Sequence, residues 1–307
     1  MVPPRSYRAA AGEPAAALAA AISQATGRAF PAARASRLAG GSISGALLLE
    51  ASDGQRAFVK LNAAAFADAF AAEEDGLRLL AADCGLAVPR PLCRGVLGER
   101  AFLALEWLEL APWSAASATV LGHGLAALHR RTGPRFGWQR DNWIGATPQP
   151  NAWSDDWSAF QRAHRLGFQL ELARRRGFAR ELERAGSERL LEQIPALLAG
   201  HRPQPSLVHG DLWSGNASAL ADGRAALFDP ATHYGDREVD IAMSELFGGF
   251  PAAFYAAYRD AWPLEPGYEL RRELYNLYHL LNHLNLFGAG YLERARATIA
   301  RLLAALR

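Results

Sequence analysis

The sequence predicts an α+β chain in two lobes: an N-terminal lobe with a five-stranded antiparallel sheet and one helix, and a mainly helical C-terminal lobe. Three observations carry this reading. Strand and turn signals cluster before residue 108, helical periodicity dominates after Pro112, and 307 residues are enough for two domains of about 150 residues each. The expected division is 1–108, the sheet-bearing lobe, and 109–307, the helical lobe.

A helix near residues 13–26 comes first. Residues 34–39 and 46–49 flank Gly40, Gly41 and Gly45; Asp53-Gly54 marks a turn, and residues 56–61 read as the next strand. Over 63–82 the spacing of Phe66, Phe70, Leu77 and Leu80 builds one helical face. Val88-Pro89-Arg90-Pro91 breaks that helix, and residues 92–97 and 101–108, joined by Gly98-Glu99, complete the sheet. Beyond Pro112, helical period marks 117–131, 153–176, 187–199, 239–247, 251–262 and 268–306, the last broken at Gly288-Ala289-Gly290. The exception is 206–230, where Leu207-Val208 and residues 225–228 are strand-like and flank a polar loop.

Composition removes several function classes. Hydrophobic residues make up 50% and charged residues 21%, which is globular and not disordered. Thirty-three basic against 31 acidic residues leave a net charge of +2, too little field to hold a nucleic acid. Cys84 and Cys93 read as reduced thiols. Residues 15–22 are weakly apolar and follow Glu13 in place of a basic segment, so no secretory signal and no membrane span is expected, and the location is cytoplasmic.

Of the 33 basic residues, 32 are arginine and one is lysine, Lys60. On exposed helices the two types substitute for one another, but a compact ammonium at a nucleotide phosphate has no guanidinium equivalent. Lys60 follows the loop Gly40-Gly41-Ser42-Ile43-Ser44-Gly45, and the helix after it offers Glu73 and Glu74. Glu73 lies three residues after Phe70 and is expected to aim Lys60, with Glu74 turned to solvent.

The polar loop reads His209-Gly210-Asp211-Leu212-Trp213-Ser214-Gly215-Asn216. Asp211 and Asn216 are five positions apart, the spacing of the protein-kinase catalytic loop, where a carboxylate meets the attacking hydroxyl and an amide oxygen binds magnesium. Asp229, after residues 225–228, supplies a second carboxylate for that metal.

The run from His209 to Asn216 resembles the fructosamine kinase (ketosamine-3-kinase) family. So do Phe228-Asp229-Pro230-Ala231, residues 234–243, residues 245–250, residues 279–287, Phe136-Gly137, Asp141-Asn142 and Ile144-Gly145. The resemblance implies a bilobed protein-kinase-like fold and ATP, bound with Mg2+ between the lobes, as donor to the 3-hydroxyl of a ketosamine on a small amine or protein lysine. Phosphate at C3 of such a carbonyl compound is a good leaving group, so the product decomposes and frees the amine: a deglycation enzyme. In these terms Asp211 and Lys60 are catalytic. Gly40, Gly41, Ser42, Lys60, Glu73, Glu106, Leu108, Asn216 and Asp229 bind the cofactor, with the adenine edge against the backbone of 106–108. Asn216 and Asp229 hold the metal, and Asp211, Trp213 and His283 face the substrate. Ser42 stands where some relatives carry a cysteine, so redox dimerisation is not expected and the chain is read as a monomer. The alternatives are a phosphotransferase of the aminoglycoside or choline type, which share the His-Gly-Asp frame, and a nucleotide-binding pseudokinase, against which intact Lys60, Asp211, Asn216 and Asp229 argue. Asp240, 11 residues beyond Asp229, is expected to hold backbone N–H groups.

Overall fold

A computed structural model describes residues 13–31, 34–38, 43–81 and 84–306 of the chain. These form two compact units. The first holds the described residues up to Glu74 together with Pro89–Leu108, and the second holds those of Asp75–Val88 and Glu109–Arg307. The sequence reading drew one line after residue 108; here the second unit also takes 75–88, the end of a helix and the loop that follows it.

The first unit contains α1 (Glu13–Thr26), β1 (Arg34–Leu38), β2 (Gly45–Glu50), β3 (Arg56–Ala63), the start of α2 (Ala67–Leu80), β4 (Pro91–Leu97) and β5 (Arg100–Glu106). The five strands pair antiparallel in the order β1-β2-β3-β5-β4. The period of two decides what faces where. Ala57 and Val59 of β3 join Leu18, Ile22, Leu47, Leu49 and Phe102 in a core under α1, which turns the intervening Phe58 and Lys60 to the opposite face.

The second unit begins with β6 (Leu110–Ala111), α3 (Ala115–His129) and a hairpin of β7 (Asn142–Ile144) and β8 (Thr147–Gln149). Short helices α4 (Trp157–Phe160), α5 (Phe168–Ala173), α6 (Ala179–Arg184) and α7 (Ser187–Leu197) precede β9 (Ser206–Val208), β10 (Ala217–Leu220), β11 (Ala225–Leu227) and β12 (His233–Gly235). It closes with α8 (Glu238–Leu246), α9 (Ala252–Ala261), α10 (Tyr268–Phe287) and α11 (Leu292–Ala304). The α+β class and both sheet-rich and helix-rich portions are as the sequence predicts. The helix expected over 153–176 starts at Trp157 and is broken up by π-type turns at 161–167 and 174–178, with Gly177 at φ 91°. The 268–306 segment does break, at Gly288 with φ 89°.

Two close approaches fix the framework around the site. A Cβ on Gly122 of α3 would lie 2.5 Å from the Phe254 carbonyl oxygen, so α3 and α9 meet backbone to backbone. That brings the end of α3, at His129, against Tyr258 of α9, with ring centroids 5.6 Å apart. No helix among the described residues is long and apolar enough to cross a membrane.

Candidate active site

In the first unit, Lys60 lies on the central strand β3, opposite Ala46 of β2 and Leu103 of β5. It is 8% exposed, and its Nζ donates to Glu73 Oε1 at 2.5 Å. A buried ammonium requires such a counter-charge, and α2 supplies it one turn after Phe70, whose side chain is buried. Glu74 does not turn to solvent: its carboxylate takes Arg94 Nε of β4 at 2.5 Å, because the sheet reaches far enough to present that arginine to the helix. Glu106 ends β5, its backbone N–H donating to the Arg90 carbonyl at 2.9 Å, and Trp107 and Leu108 follow outside any strand. Gly40, Gly41 and Ser42, expected at the phosphates, lie outside the described residues.

In the second unit, β9 pairs antiparallel with β12 and delivers the chain to His209. The backbone N–H of Asp211 donates to His209 Nδ1 at 3.2 Å, so the ring proton is on Nε2, which donates to the Phe228 carbonyl at 2.9 Å. Burial holds the His209 pKa below the usual imidazole range and keeps this ring neutral. Gly210 adopts φ 83°, and a Cβ there would collide with the Ala231 carbonyl oxygen; a residue with a side chain does not fit. Asp240 of α8 accepts from the backbone N–H of His209 at 2.7 Å and of Gly210 at 2.8 Å.

Within this loop Asn216 Nδ2 donates to the Asp211 carbonyl at 2.9 Å and to Asp211 Oδ2 at 3.1 Å, and reaches the Asp229 carbonyl at 3.4 Å. Its amide nitrogen is thus committed to the loop, and Oδ1 remains the end suited to a hard cation. Asp229 has φ 58°, the one non-glycine residue with positive φ among those described. Such a conformation is costly and is concentrated at functional sites. Burial, followed by the charge of Asp229, pushes the Asp211 carboxyl up to about 7. The Asp229 carboxylate and the free Oδ1 end of the Asn216 amide are hard oxygen donors of the kind that fits Mg2+.

A second layer escaped the sequence reading. Asn142 Nδ2 donates to the Thr232 carbonyl at 2.8 Å, and Gln149 Nε2 to the Ala231 carbonyl at 3.1 Å. Arg165, buried on the first π-type turn, donates to Asn151 Oδ1 at 2.8 Å, and Asn151 donates in turn to Asn142 Oδ1 at 2.7 Å. The hairpin β7–β8 therefore carries amides that hold the segment just after Asp229. The motif Asp141-Asn142 was a signal for it; nothing marked Gln149, Asn151 or Arg165.

Of the three side chains assigned to substrate, Trp213 and His283 fall in surroundings different from each other. The indole of Trp213 lies across Gly215, where any Cβ would meet its ring, and stays 37% exposed on the loop. His283 on α10 packs against Phe247 at 4.6 Å between centroids, and against Phe287 and Tyr291. Its Nδ1 donates to the His279 carbonyl at 2.8 Å, and none of these partners belongs to the 209–216 loop.

The fructosamine kinase family model matches residues 14–305. The chain belongs to the fructosamine kinase family. A probable ketoamine kinase of Synechocystis is 48% identical over 287 residues, covering 92% of this chain and 94% of that one. The chloroplastic protein-ribulosamine 3-kinase of Oryza sativa subsp. indica is 39% identical over 267 residues, 86% of this chain and 77% of its own. Among solved structures, a Haemophilus somnus protein assigned as a fructosamine-3-kinase superposes with a TM-score of 0.85 at 31% identity, over 93% of this chain and 96% of that chain. This member of the fructosamine kinase family is an enzyme, a kinase with a protein-kinase-like fold.

Proposed function

We propose that the chain transfers the γ-phosphoryl group of ATP to the 3-hydroxyl of a ketosamine carried on a small amine or a protein amine. The relatives named ketoamine kinase and protein-ribulosamine 3-kinase support the acceptor class. The observation that carries the chemistry is the Asp211 carboxylate, held by the Asn216 amide at 3.1 Å on a loop that Asp240 and His209 pin to the rest of the unit.

Asp211 receives the proton of the attacking hydroxyl as the new O–P bond forms and the bond to ADP breaks. Lys60, aimed by Glu73, contacts phosphate oxygens, and the backbone of 106–108 takes the adenine edge. Asn216 and Asp229 would hold Mg2+, which would supply charge neutralisation on the transferring phosphoryl group. Positioning and electrostatics account for most of the acceleration. Enolisation of the 3-phosphorylated product expels phosphate and hydrolysis frees the amine, so the outcome is deglycation.

The test is an ATP-consumption screen against fructosamines, ribulosamines, erythrulosamines, aminoglycosides and choline, with phosphorus NMR of the product. Consumption with ketosamines and phosphate on O3 supports the assignment; turnover confined to aminoglycosides or choline overturns it.

A further inference from the structure

Asp240 does more than receive two loop amides. Its Oδ2 also lies 3.1 Å from His129 Nε2, His129 Nδ1 lies 2.8 Å from the Tyr258 hydroxyl, and that hydroxyl lies 3.1 Å from an Arg237 guanidinium nitrogen. None of the four side chains is more than 5% exposed. One placement of protons uses every group: Arg237 donates to the Tyr258 oxygen, Tyr258 O–H donates to His129 Nδ1, and His129 Nε2–H donates to Asp240. Burial keeps the Tyr258 phenol protonated and therefore a donor.

The cation at the far end of this chain has no carboxylate within ion-pair distance among the described residues. Arg237 instead lies 4.2 Å from the centroid of the Trp262 ring and donates to the Trp262 and Pro263 carbonyls. Its charge falls on the Tyr258 oxygen, strengthening each successive donor in a dry surrounding. Burial alone would raise the Asp240 pKa, yet the hydrogen bond from His129, with the loop amide of Gly210, holds it below the usual carboxylate range. The ionised carboxylate is what keeps the N–H groups of His209 and Gly210 in place, directly before Asp211.

We propose that Tyr258 and Arg237, acting through His129, are positioning residues for phosphoryl transfer: they orient the Asp240 carboxylate and through it the backbone that aims Asp211. The proposal rests on the role given to Asp211 above. It extends the site to α9, an element that holds no residue expected to meet ATP or substrate.

Tyr258→Phe keeps the ring that packs on His129 and removes the hydroxyl. It is expected to lower kcat by about fivefold to tenfold, the scale of one buried hydrogen bond, with KM for ATP within about twofold. Amide hydrogen exchange at His209 and Gly210 should accelerate while exchange in α1 stays at the wild-type rate. In an Asp240→Asn background the same substitution should add no further loss. Arg237→Lys, which retains the charge, should keep more kcat than Arg237→Met. Wild-type kcat and unchanged exchange at both amides in Tyr258→Phe would overturn the proposal, as would a lowered melting temperature with kcat per folded molecule unaltered. The exchange measurement needs no substrate. A wild-type protein that phosphorylates no ketosamine therefore defeats the functional reading and leaves the positioning role to be decided by the amides.

Discussion

The Phe228 carbonyl receives the Nε2–H of His209 at 2.9 Å, so the residue before Asp229 is tied to a residue two positions before Asp211. The two acidic positions are thereby held by protein hydrogen bonds before any ligand arrives, which is the preorganisation that phosphoryl transfer demands. Replacing His209 by Leu leaves the Phe228 carbonyl and the Asp211 N–H without their partner. The expected cost is about 1–3 kcal/mol of stability, read as a lower urea midpoint at unchanged slope, with kcat falling in the same variant. An unchanged midpoint would show that the imidazole bonds contribute nothing net.

Asp211→Asn tests the proposed base directly. The side chain stays nearly isosteric and can still accept from Asn216, so the fold and ATP affinity are expected to change by no more than a few-fold. Loss of a positioned proton acceptor lowers kcat by about 10²- to 10⁴-fold. Turnover close to wild type in a folded preparation would remove Asp211 from its role.

Lys60→Arg retains the charge at the sole lysine of the chain. The ammonium is buried and only 2.5 Å from Glu73 Oε1, a space that a planar guanidinium overfills. A loss of about 10- to 100-fold in kcat/KM for ATP is expected. Steady-state kinetics with wild-type constants would make the lone lysine an accident of composition.

Legibility in the sequence followed how locally each feature is encoded. The pairing inside the 209–216 loop was readable because Asp211 and Asn216 are five apart and bond each other directly. The sheet was readable because β3 alternates and Gly98 closes the β4–β5 hairpin with φ 59°. Three-residue strands such as β7 and β8 are too short to show a period. The amides they carry acquire meaning only by reaching Ala231 and Thr232, 82 and 90 residues away. His129 ends an ordinary apolar helix, and its partner Asp240 is 111 residues on. Glu74 was misjudged because helical phase alone does not reveal Arg94 arriving from the sheet.

A second buried network gives a pH dependence with a definite sign. His201 donates from Nε2 to Asp236 Oδ2 at 2.6 Å and from Nδ1 to Glu265 Oε2 at 2.8 Å, while Tyr275 O–H donates to the same Asp236 oxygen at 2.6 Å. Burial alone would lower the His201 pKa, but the hydrogen bond and charge of Asp236 raise it above the ordinary 6.5. Burial alone would raise Asp236, but the hydrogen bond and charge of His201 hold it below the ordinary 3.8. Glu238, with a carboxylate oxygen within 4.8 Å of the His201 and Asp236 side chains, is bound through both oxygens by Arg271 at 2.6 and 2.9 Å, so these three residues form an ion-pair network already filled by protein partners. The histidine contribution to stability is complete below the unfolded imidazole pKa and is lost as pH rises through the raised folded value. The aspartate contribution is complete above the unfolded carboxyl pKa and is lost as pH falls through the lowered folded value. The pair therefore stabilises most between about pH 4 and 6.5. The difference in melting temperature between wild type and His201→Gln should be largest in that window and shrink toward pH 9. A difference independent of pH over the whole range would show that His201 acts through its shape and not through its charge.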